Sequence, residues 1–327
     1  MRVHILDDWF DTLRTLPCFS KLQGHEVTVW NDHVEDIGKL SGRLAEAEAL
    51  VLFRERTPIT APLLERLPNL KLISQRSVYP HIDVSACTKH GVLLCSNMHS
   101  DTPSYAAAEL TFGLILAGMR QIPQQMASLK AGGWQMGVGR TLRGRTLGLY
   151  GFGRIGQVVA GYARAFGMNV IWWGSEAGRE RARVAGEMVP PSRAQFFAGA
   201  DVISVHVRLT ASTRGLITSD DFAAMRPNAL FVNTSRAGLV APGALLAGLE
   251  AGRPAMAALD VFDVEPLTDA ADRLLSHPAV IGTPHIGYVT EDEFDLQFSD
   301  IFDQINAYTS GQPIHMINPE VWQRPNG

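Results

Sequence analysis

The sequence has few cysteines, no long apolar run and no excess of charge of one sign. Its 327 residues include three cysteines, Cys18, Cys87 and Cys95, whose odd number and spacing favour neither a disulfide framework nor a metal site. Every apolar run falls short of the ~18 residues that a membrane-spanning helix needs. The 29 basic and 33 acidic residues give a formal net charge of −4, which argues against a nucleic-acid partner. We therefore expect a cytoplasmic protein that binds no membrane, nucleic acid or metal.

Short apolar runs alternate with helix-like segments in two series along the chain. The first series places candidate strands at 3–6, 27–30, 49–53, 70–74 and 92–96, and the second at 146–150, 169–173, 201–207, 229–234, 255–261 and 279–283. This alternation predicts an α/β fold with two doubly wound parallel sheets. Residues 105–119 form an apolar helix pattern that needs burial in a core or against another subunit. A capping box of Thr290 and Glu293 begins a long C-terminal helix, whose apolar stripe also needs a partner surface.

A glycine-rich turn follows the first strand of the second series. The turn reads Gly151-Phe-Gly153-Arg-Ile-Gly156 and leads into a helix-forming stretch at 157–166. A GxGxxG pattern between a strand and a helix is the context that indicates dinucleotide binding. Gly151 permits the tight turn, Gly153 lets the backbone approach a pyrophosphate, and Gly156 allows close contact of helix and strand.

The residues after the next strand leave the choice of dinucleotide open. Gly174 stands where a carboxylate usually bonds the ribose 2′-hydroxyl of NAD. If Glu176 reaches the ribose instead, NAD(H) is favoured. If Ser175 receives a 2′-phosphate together with Arg179 or Arg181, NADP(H) is favoured. All of these residues could also belong to a solvated loop.

Three later strands deliver polar side chains to one edge of the predicted sheet. They are followed by Arg236, by Asp260 with Glu265, and by His285. Ligands of open α/β sheets bind beyond the carboxyl ends of the strands, so we expect these residues beside the dinucleotide. A guanidinium binds a carboxylate, and an imidazole paired with a carboxylate transfers a proton. This combination favours hydride-transfer chemistry.

Several stretches resemble the D-isomer-specific 2-hydroxyacid dehydrogenase family. The matching stretches are 148–156, 200–206, 232–240, 258–266 and 283–287, with weaker likeness across nearly the whole chain. The resemblance implies that Arg236 binds and activates the substrate and that His285 is the acid–base group. It further implies that Glu265 keeps this histidine protonated and that Asp260 orients the nicotinamide carboxamide.

The resemblance also implies the domain organisation. A Rossmann cofactor domain, residues 98–287, is inserted into a flavodoxin-like substrate domain made of residues 1–97 and 288–327. In the family the apolar helix near 105–119 belongs to a dimer interface, so we expect a homodimer. The candidate cofactor-binding residues are Gly151, Gly153, Arg154, Ile155, Gly156, Ser175, Glu176, His206, Thr234, Ser235 and Asp260.

The chain departs from the family's pattern in the first domain. The family has a glycine-rich loop whose N–H groups hold the substrate carboxylate, whereas this chain has Ser77, Val78, Tyr79 and Pro80. We predict that Ser77, Val78 and Tyr79 bind the substrate in a reshaped pocket, together with Arg236 and His285.

Two arginines, Arg54 and Arg76, follow first-domain strands. If they face the substrate, they favour a second anionic or polar group on it, which makes hydroxypyruvate, glyoxylate and 3-phosphoglycerate reasonable trial substrates. The opposing interpretation is that both arginines lie on a solvated edge. We predict Arg54 as a substrate-binding residue.

The function implied by the resemblance is interconversion of a 2-oxo acid and a D-2-hydroxy acid with NAD(H) or NADP(H). One alternative is a dinucleotide-sensing, corepressor-like binding protein of the same fold without significant turnover. The formate-oxidising branch of the family is a weaker alternative, because it pairs its histidine with glutamine and this chain has Glu265.

Overall fold

The computed structural model describes residues 1–98 and 105–322. The chain divides into two units, Met1–Pro103 with Thr290–Gly327, and Ser104–Val289. Each unit is built around a parallel sheet, which confirms the predicted fold class. Among the described residues, no helix is both long enough and apolar enough to cross a membrane. The assignment of residues 1–97 with 288–327 to the substrate and of 98–287 to the cofactor stays a prediction.

The first unit has five strands among its described residues, in the order β2-β1-β3-β4-β5. The strands are β1 (Arg2–Ile5), β2 (Glu26–Val29), β3 (Ala49–Val51), β4 (Leu72–Arg76) and β5 (Leu93–Asn97). The helices are α1 (Ile37–Arg43), α2 (Ala61–Leu64), α3 (Val84–Lys89) and the C-terminal α11 (Glu291–Thr309), with 3-10 turns at Leu13–Thr15, Pro17–Leu22 and Pro319–Val321. This strand order is the flavodoxin type.

The long helix α11 completes the first unit. It begins where the capping box predicts, because the Thr290 side chain accepts a hydrogen bond from the Glu293 N–H. On β4, the buried hydroxyl of Ser74 donates to the carbonyl oxygen of Ile301 over 2.8 Å. Aromatic packing adds to this contact, since the rings of Phe53 and Phe298 have centroids 5.0 Å apart. The apolar stripe of the helix therefore finds its partner surface on the first sheet.

The second unit has six strands among its described residues, in the order β11-β10-β9-β8-β6-β7. The strands are β6 (Thr146–Tyr150), β7 (Asn169–Trp173), β8 (Val202–Val205), β9 (Leu230–Asn233), β10 (Met256–Leu259) and β11 (Val280–Gly282). The helices are α4 (Ala106–Arg120), α5 (Ile122–Lys130), α6 (Arg154–Ala165), α7 (Glu176–Val184), α8 (Arg193–Gly199), α9 (Ser219–Ala224) and α10 (Ala244–Glu250), with a 3-10 turn at Ala237–Leu239. The strand order reverses between β6 and β8, and in such folds ligands bind where it reverses.

The middle of the second sheet is covered on both faces. Leu230 and Val232 of β9 belong to a buried cluster with α4 and α6. Phe231, between them, belongs to the cluster on the opposite face, with α8, α9 and α10. Side chains alternate along a strand, so an apolar strand of this kind is buried on both sides. The polar residues that follow these parallel strands therefore lie together at the carboxyl ends of the strands.

Helix α4 matches the predicted apolar pattern, with eight buried residues. It ends at Arg120, and its C-cap residue Gln121 has a left-handed φ of 54°. The next helix, α5, was not predicted from the sequence.

Candidate active site

The turn between β6 and α6 contains two glycines that the surrounding structure requires. Gly151 has φ +115°, and a Cβ there would lie 2.4 Å from the carbonyl oxygen of His206. A Cβ at Gly156 would lie 2.9 Å from the carbonyl oxygen of Gly151 and 3.2 Å from the ring of Trp172. Gly151 therefore permits the turn, and Gly156 permits the close packing of α6 against β7.

Gly153, the N-cap residue of α6, lies in a different environment. A Cβ there would meet no atom of the described chain within 4 Å, and its φ of −126° is accessible to any residue. Neither packing nor backbone conformation therefore requires glycine at this position. Arg154 and Ile155 are exposed in the first turn of α6, where backbone N–H groups and the helix dipole favour an anion. The open space and the donors fit the pyrophosphate of a dinucleotide.

A guanidinium lies against the end of β7. Gly174 follows the strand with φ +151° and brings no side chain to the ribose position. Arg179 donates to the carbonyl oxygen of Gly174 over 2.7 Å. Its Cζ lies 4.4 Å from the ring centroid of Trp173, which is cation–π distance. The stacking and the hydrogen bond fix this arginine at the strand end.

Of the three further candidates for the ribose contact, Ser175, Glu176 and Arg181, the first two are engaged within α7. The Ser175 hydroxyl caps the helix by accepting a hydrogen bond from the Gly178 N–H over 3.2 Å. The exposed carboxylate of Glu176 pairs with Arg179 and, over 3.5 Å, with Arg183. The structure therefore brings the carboxylate of Glu176 and the guanidinium groups of Arg179 and Arg183 together next to the end of β7.

Arg236 follows β9 and precedes the 3-10 turn Ala237–Leu239. Buried Asn233, the last residue of β9, donates from Nδ2 to the carbonyl oxygen of Arg236 and accepts from the Ser235 N–H, both over 3.0 Å. This local hydrogen bonding is typical of asparagine in turns, and it fixes the bend from which Arg236 extends into solvent. Asn233 was not predicted as a site residue, although asparagine at the end of an apolar strand is the signal for such a bend.

Glu265 and His285 form the predicted pair. Glu265 Oε2 lies 2.5 Å from His285 Nδ1, and Oε1 accepts from the Phe262 N–H over 2.9 Å. Burial by itself would raise the pKa of Glu265, but the hydrogen bonds from His285 and Phe262 and the charges of His285 and Arg236 together lower it. Glu265 is therefore ionised at neutral pH and presents a charged carboxylate to the imidazole of His285.

Asp260 holds the loop that carries His285. Its carboxylate is fully buried; Oδ1 accepts from the Thr283 hydroxyl over 2.6 Å and from the Ile286 N–H over 2.8 Å, and Oδ2 accepts from the Gly287 N–H over 2.8 Å. Burial raises the pKa of Asp260, although these hydrogen bonds act in the opposite direction. His285 itself has a left-handed φ of 53°, a conformation that persists where surrounding contacts impose it. The part predicted for Asp260 in orienting the nicotinamide stays a prediction.

The remaining cofactor candidates of this unit directly follow β8 and β9. Burial lowers the pKa of His206 to about 4, so its imidazole is neutral at pH 7. The Thr234 hydroxyl lies 2.7 Å from the hydroxyl of Thr111 in α4. The Ser235 hydroxyl donates to the carbonyl oxygen of Val205 over 2.8 Å. Both hydroxyls thus connect elements of the unit, and their cofactor contacts stay predictions.

The predicted substrate residues Arg54, Ser77, Val78 and Tyr79 belong to the first unit. Arg54 follows β3 and Ser77 follows β4, with left-handed φ values of 58° and 77°. The Tyr79 ring packs, partly buried, against the apolar cluster of that unit. The structure therefore places these residues after the carboxyl ends of neighbouring strands, and their contact with a substrate stays a prediction.

The fold and the site define an α/β protein of the doubly wound class, whose second unit carries a glycine-rich turn and a hydrogen-bonded carboxylate–imidazole pair at the ends of its strands. The chain belongs to the D-isomer-specific 2-hydroxyacid dehydrogenase family, because residues 112–287 match the model of that family's NAD-binding domain. This match confirms the resemblance seen in the sequence.

Relatives of known name support the same family. The chain is 39% identical over 277 residues to a D-3-phosphoglycerate dehydrogenase of Methanocaldococcus jannaschii, which covers 84% of this chain and 52% of the relative. It is 37% identical over 295 residues to a hydroxypyruvate reductase of Thermotoga maritima, which covers 89% of this chain and 92% of the relative. The structure of a phosphoglycerate oxidoreductase from Vibrio cholerae superposes with a TM-score of 0.88 at 46% identity, covering 95% of this chain and 99% of the other. The chain spans about half the length of the D-3-phosphoglycerate dehydrogenases of Methanocaldococcus jannaschii and Bacillus subtilis that it matches.

Proposed function

We propose that this protein interconverts a 2-oxo acid and a D-2-hydroxy acid, using NAD(P)H or NAD(P)⁺. The observation that carries the proposal is the 2.5 Å contact between Glu265 and His285, in the same unit as Arg236 and the glycine turn. An imidazole paired with a carboxylate can give and take a proton. Reduction of a carbonyl requires this proton at oxygen, whereas oxidation of formate does not. Membership of the family supports the same class of reaction.

In the direction of reduction, three side chains have separate roles. The planar guanidinium of Arg236 binds the substrate carboxylate and polarises the neighbouring carbonyl. Protonated His285 donates its proton to the carbonyl oxygen, and ionised Glu265 stabilises the charged imidazole before that transfer. In oxidation, His285 takes the proton from the hydroxyl. The nicotinamide of a bound cofactor supplies or accepts the hydride.

For the cofactor we propose a preference for NADP(H). The support comes from the end of β7, where Gly174 replaces the usual acid and Arg179 donates to its carbonyl oxygen. A guanidinium binds a phosphate through parallel hydrogen bonds. Glu176 would repel a 2′-phosphate, but its charge is countered by Arg179 and Arg183.

Titration of tryptophan fluorescence with NADPH and with NADH tests this preference. We expect NADPH to bind the wild type about tenfold more tightly, because a charge-assisted hydrogen bond contributes about 1.5–3 kcal/mol. Arg179→Ala should remove the difference, whereas Arg273→Ala, which removes an exposed partner of Glu250 in the same unit, should keep it. Tighter binding of NADH by the wild type would assign the ribose to Glu176 instead.

For the substrate we propose a small 2-oxo acid, with hydroxypyruvate, glyoxylate and the 3-phosphoglycerate couple as first candidates. Relatives named for 3-phosphoglycerate and hydroxypyruvate support this choice. Arg76 is mostly buried and its Nε lies 3.3 Å from Asp300, so its charge is already matched within the first unit. Arg54, which follows β3 with a left-handed φ of 58°, is the first-unit arginine that we propose for the substrate.

We further propose a homodimer in the cytoplasm. Exposed apolar side chains on α5 and in the loop after it, among them Met126, Leu129 and Trp134, support an interface with a second copy. The three cysteines are free and buried, which suits a reducing compartment. Sedimentation equilibrium tests the dimer.

The proposed reaction is tested by following NADPH and NADH absorbance with a panel of 2-oxo acids. We expect turnover with at least one acid, and loss of turnover in His285→Ala with unchanged dinucleotide binding. Retained turnover in His285→Ala would remove this residue from the mechanism. Dinucleotide binding without turnover on the whole panel would refute the reductase and favour a dinucleotide-sensing protein.

A further inference from the structure

The loop after β4 begins with a serine in a conformation that favours glycine. Ser77 has φ +77°, in the left-handed region that residues with a Cβ rarely adopt. Strain of this kind persists where surrounding contacts determine the backbone, and it is concentrated at functional sites. The contacts of Ser77 therefore identify the groups that hold its backbone in this conformation.

Buried polar groups of β4 and β5 hold both backbone groups of Ser77. Its N–H donates to the carbonyl oxygen of Asn97 over 3.0 Å. Its carbonyl oxygen accepts from Gln75 Nε2 over 2.9 Å and from the Ser96 hydroxyl over 2.7 Å. Gln75 and Ser96 also contact each other, since Nε2 donates to the Ser96 Oγ over 2.8 Å. Two almost fully buried side chains thus act on one carbonyl group.

The side-chain amide of Gln75 uses its donor in this loop and leaves its acceptor unused. Its Nε2 faces the oxygens of Ser77 and Ser96, while Oε1 is buried without a hydrogen-bond partner among the described residues. A buried acceptor without a partner destabilises the folded state. Such a group in a native structure calls for a specific reason, and the support of Ser77 provides one.

We propose that Gln75 and Ser96 are positioning residues, which hold Ser77 left-handed and so present the N–H groups of Val78 and Tyr79 to the substrate carboxylate. Within the described residues these two N–H groups donate to no other group, whereas that of Ser77 is already used. The inference rests on the proposed function, because it takes a 2-oxo acid as the occupant of the loop. Gln75 and Ser96 need not touch the substrate themselves.

The first test is steady-state kinetics of 2-oxo acid reduction by Gln75→Met and Ser96→Ala. We expect each variant to raise KM for the acid about tenfold, the factor that corresponds to the loss of one well-placed hydrogen bond. The value of kcat should stay within about twofold of the wild type, since neither residue lies in the acid–base pair. The matched control is Ser74→Ala, which removes a buried hydroxyl of the same strand that donates to Ile301 and should leave KM unchanged.

The second test is rescue by glycine. Glycine adopts a positive φ without strain. Introducing Ser77→Gly into Gln75→Met should therefore lower KM for the acid again, most of the way to the wild-type value. Hydrogen exchange of the Ser77 amide gives a readout that needs no activity. It should quicken about tenfold or more in Gln75→Met and slow again in the double variant.

The outcomes separate this inference from the proposed function. If the wild type is active, the positioning role alone is overturned by either of two results. One is an unchanged KM in both Gln75→Met and Ser96→Ala, and the other is a raised KM that Ser77→Gly does not lower again. A wild type without turnover refutes the proposed function, and the exchange rates then decide whether Gln75 holds the loop.

Discussion

Gly153→Ala is expected to weaken dinucleotide binding while leaving the fold intact. The new Cβ would meet no atom of the described chain within 4 Å, so the folded protein has room for it. At a helix N-cap, alanine in place of glycine changes stability by up to about 1 kcal/mol. The same methyl group would stand in the space through which the pyrophosphate approaches the N–H groups of α6. Loss of one charge-assisted hydrogen bond, about 1.5–3 kcal/mol, weakens binding at least about tenfold.

Two other alanine substitutions provide the contrast. Gly151→Ala would place a Cβ 2.4 Å from a carbonyl oxygen at φ +115°, which adds about 1–3 kcal/mol of backbone strain to about 1–3 kcal/mol of overpacking. At about 2–4 °C per kcal/mol, Tm should fall by roughly 5–20 °C. Gly161→Ala lies inside α6 with open space around it, and it should stabilise the protein by about 0.5–1 kcal/mol.

Thermal melts by circular dichroism and titration with NADPH and NADH measure both properties in each variant. We expect a normal melt with weak binding for Gly153→Ala, a low Tm for Gly151→Ala, and normal binding for Gly161→Ala. Wild-type affinity in Gly153→Ala would mean that the pyrophosphate is not held at this turn. An equal loss of Tm in Gly153→Ala and Gly151→Ala would contradict the open space assigned to Gly153.

Three further predictions concern charged and titratable groups. Glu265→Gln should lower kcat for reduction about tenfold, because the contact of His285 with a charged carboxylate is lost; a kcat equal to that of the wild type would remove Glu265 from the mechanism. Asp260→Asn should lower Tm and kcat together, since a donor of the His285 loop loses its acceptor at a cost of about 1–3 kcal/mol; melts and kinetics equal to the wild type would contradict this. Burial lowers the pKa of His81 from 6.5 to about 4, so the unfolded chain binds more protons in that window and stability falls as the pH drops through it. His81→Phe should reduce this fall by about 1–2 kcal/mol after allowance for the partly exposed ring, as measured by urea melts at pH 7 and 4.5, and an equal fall in both proteins would be the contrary result.

The parts of the molecule that could be predicted from sequence are those with local signals. Alternating apolar runs lie within a few residues of the observed strands in both units, because burial on both faces leaves a continuous apolar stretch. The glycine turn was predictable because the three glycines stand at a fixed spacing between a strand and a helix, and the backbone or the packing requires two of them, Gly151 and Gly156. The pair of Glu265 and His285 was predictable because the carboxyl ends of parallel strands share one edge.

Contacts between residues distant in sequence could not be predicted in this way. No local pattern shows that Asp260 accepts three hydrogen bonds from the loop of His285. The ion pair of Arg76 and Asp300 also has no local sequence signal, because it depends on how α11 packs against β4. Ser77 could be recognised as a departure from glycine, but the side chains that hold it come from two different strands.

The return of α11 to the first sheet also sets an order of assembly during synthesis. Ser74 meets Gln304, 230 residues later in the chain, and at about 5–20 residues per second the ribosome needs on the order of 10–50 s to make that stretch. Throughout this interval the nascent first sheet lacks the helix that covers Phe53 and its neighbours, while the contiguous second unit emerges and can fold. The unit that leads in sequence is therefore the last to be completed, and its uncovered apolar face is the surface that chaperones would meet on the growing chain.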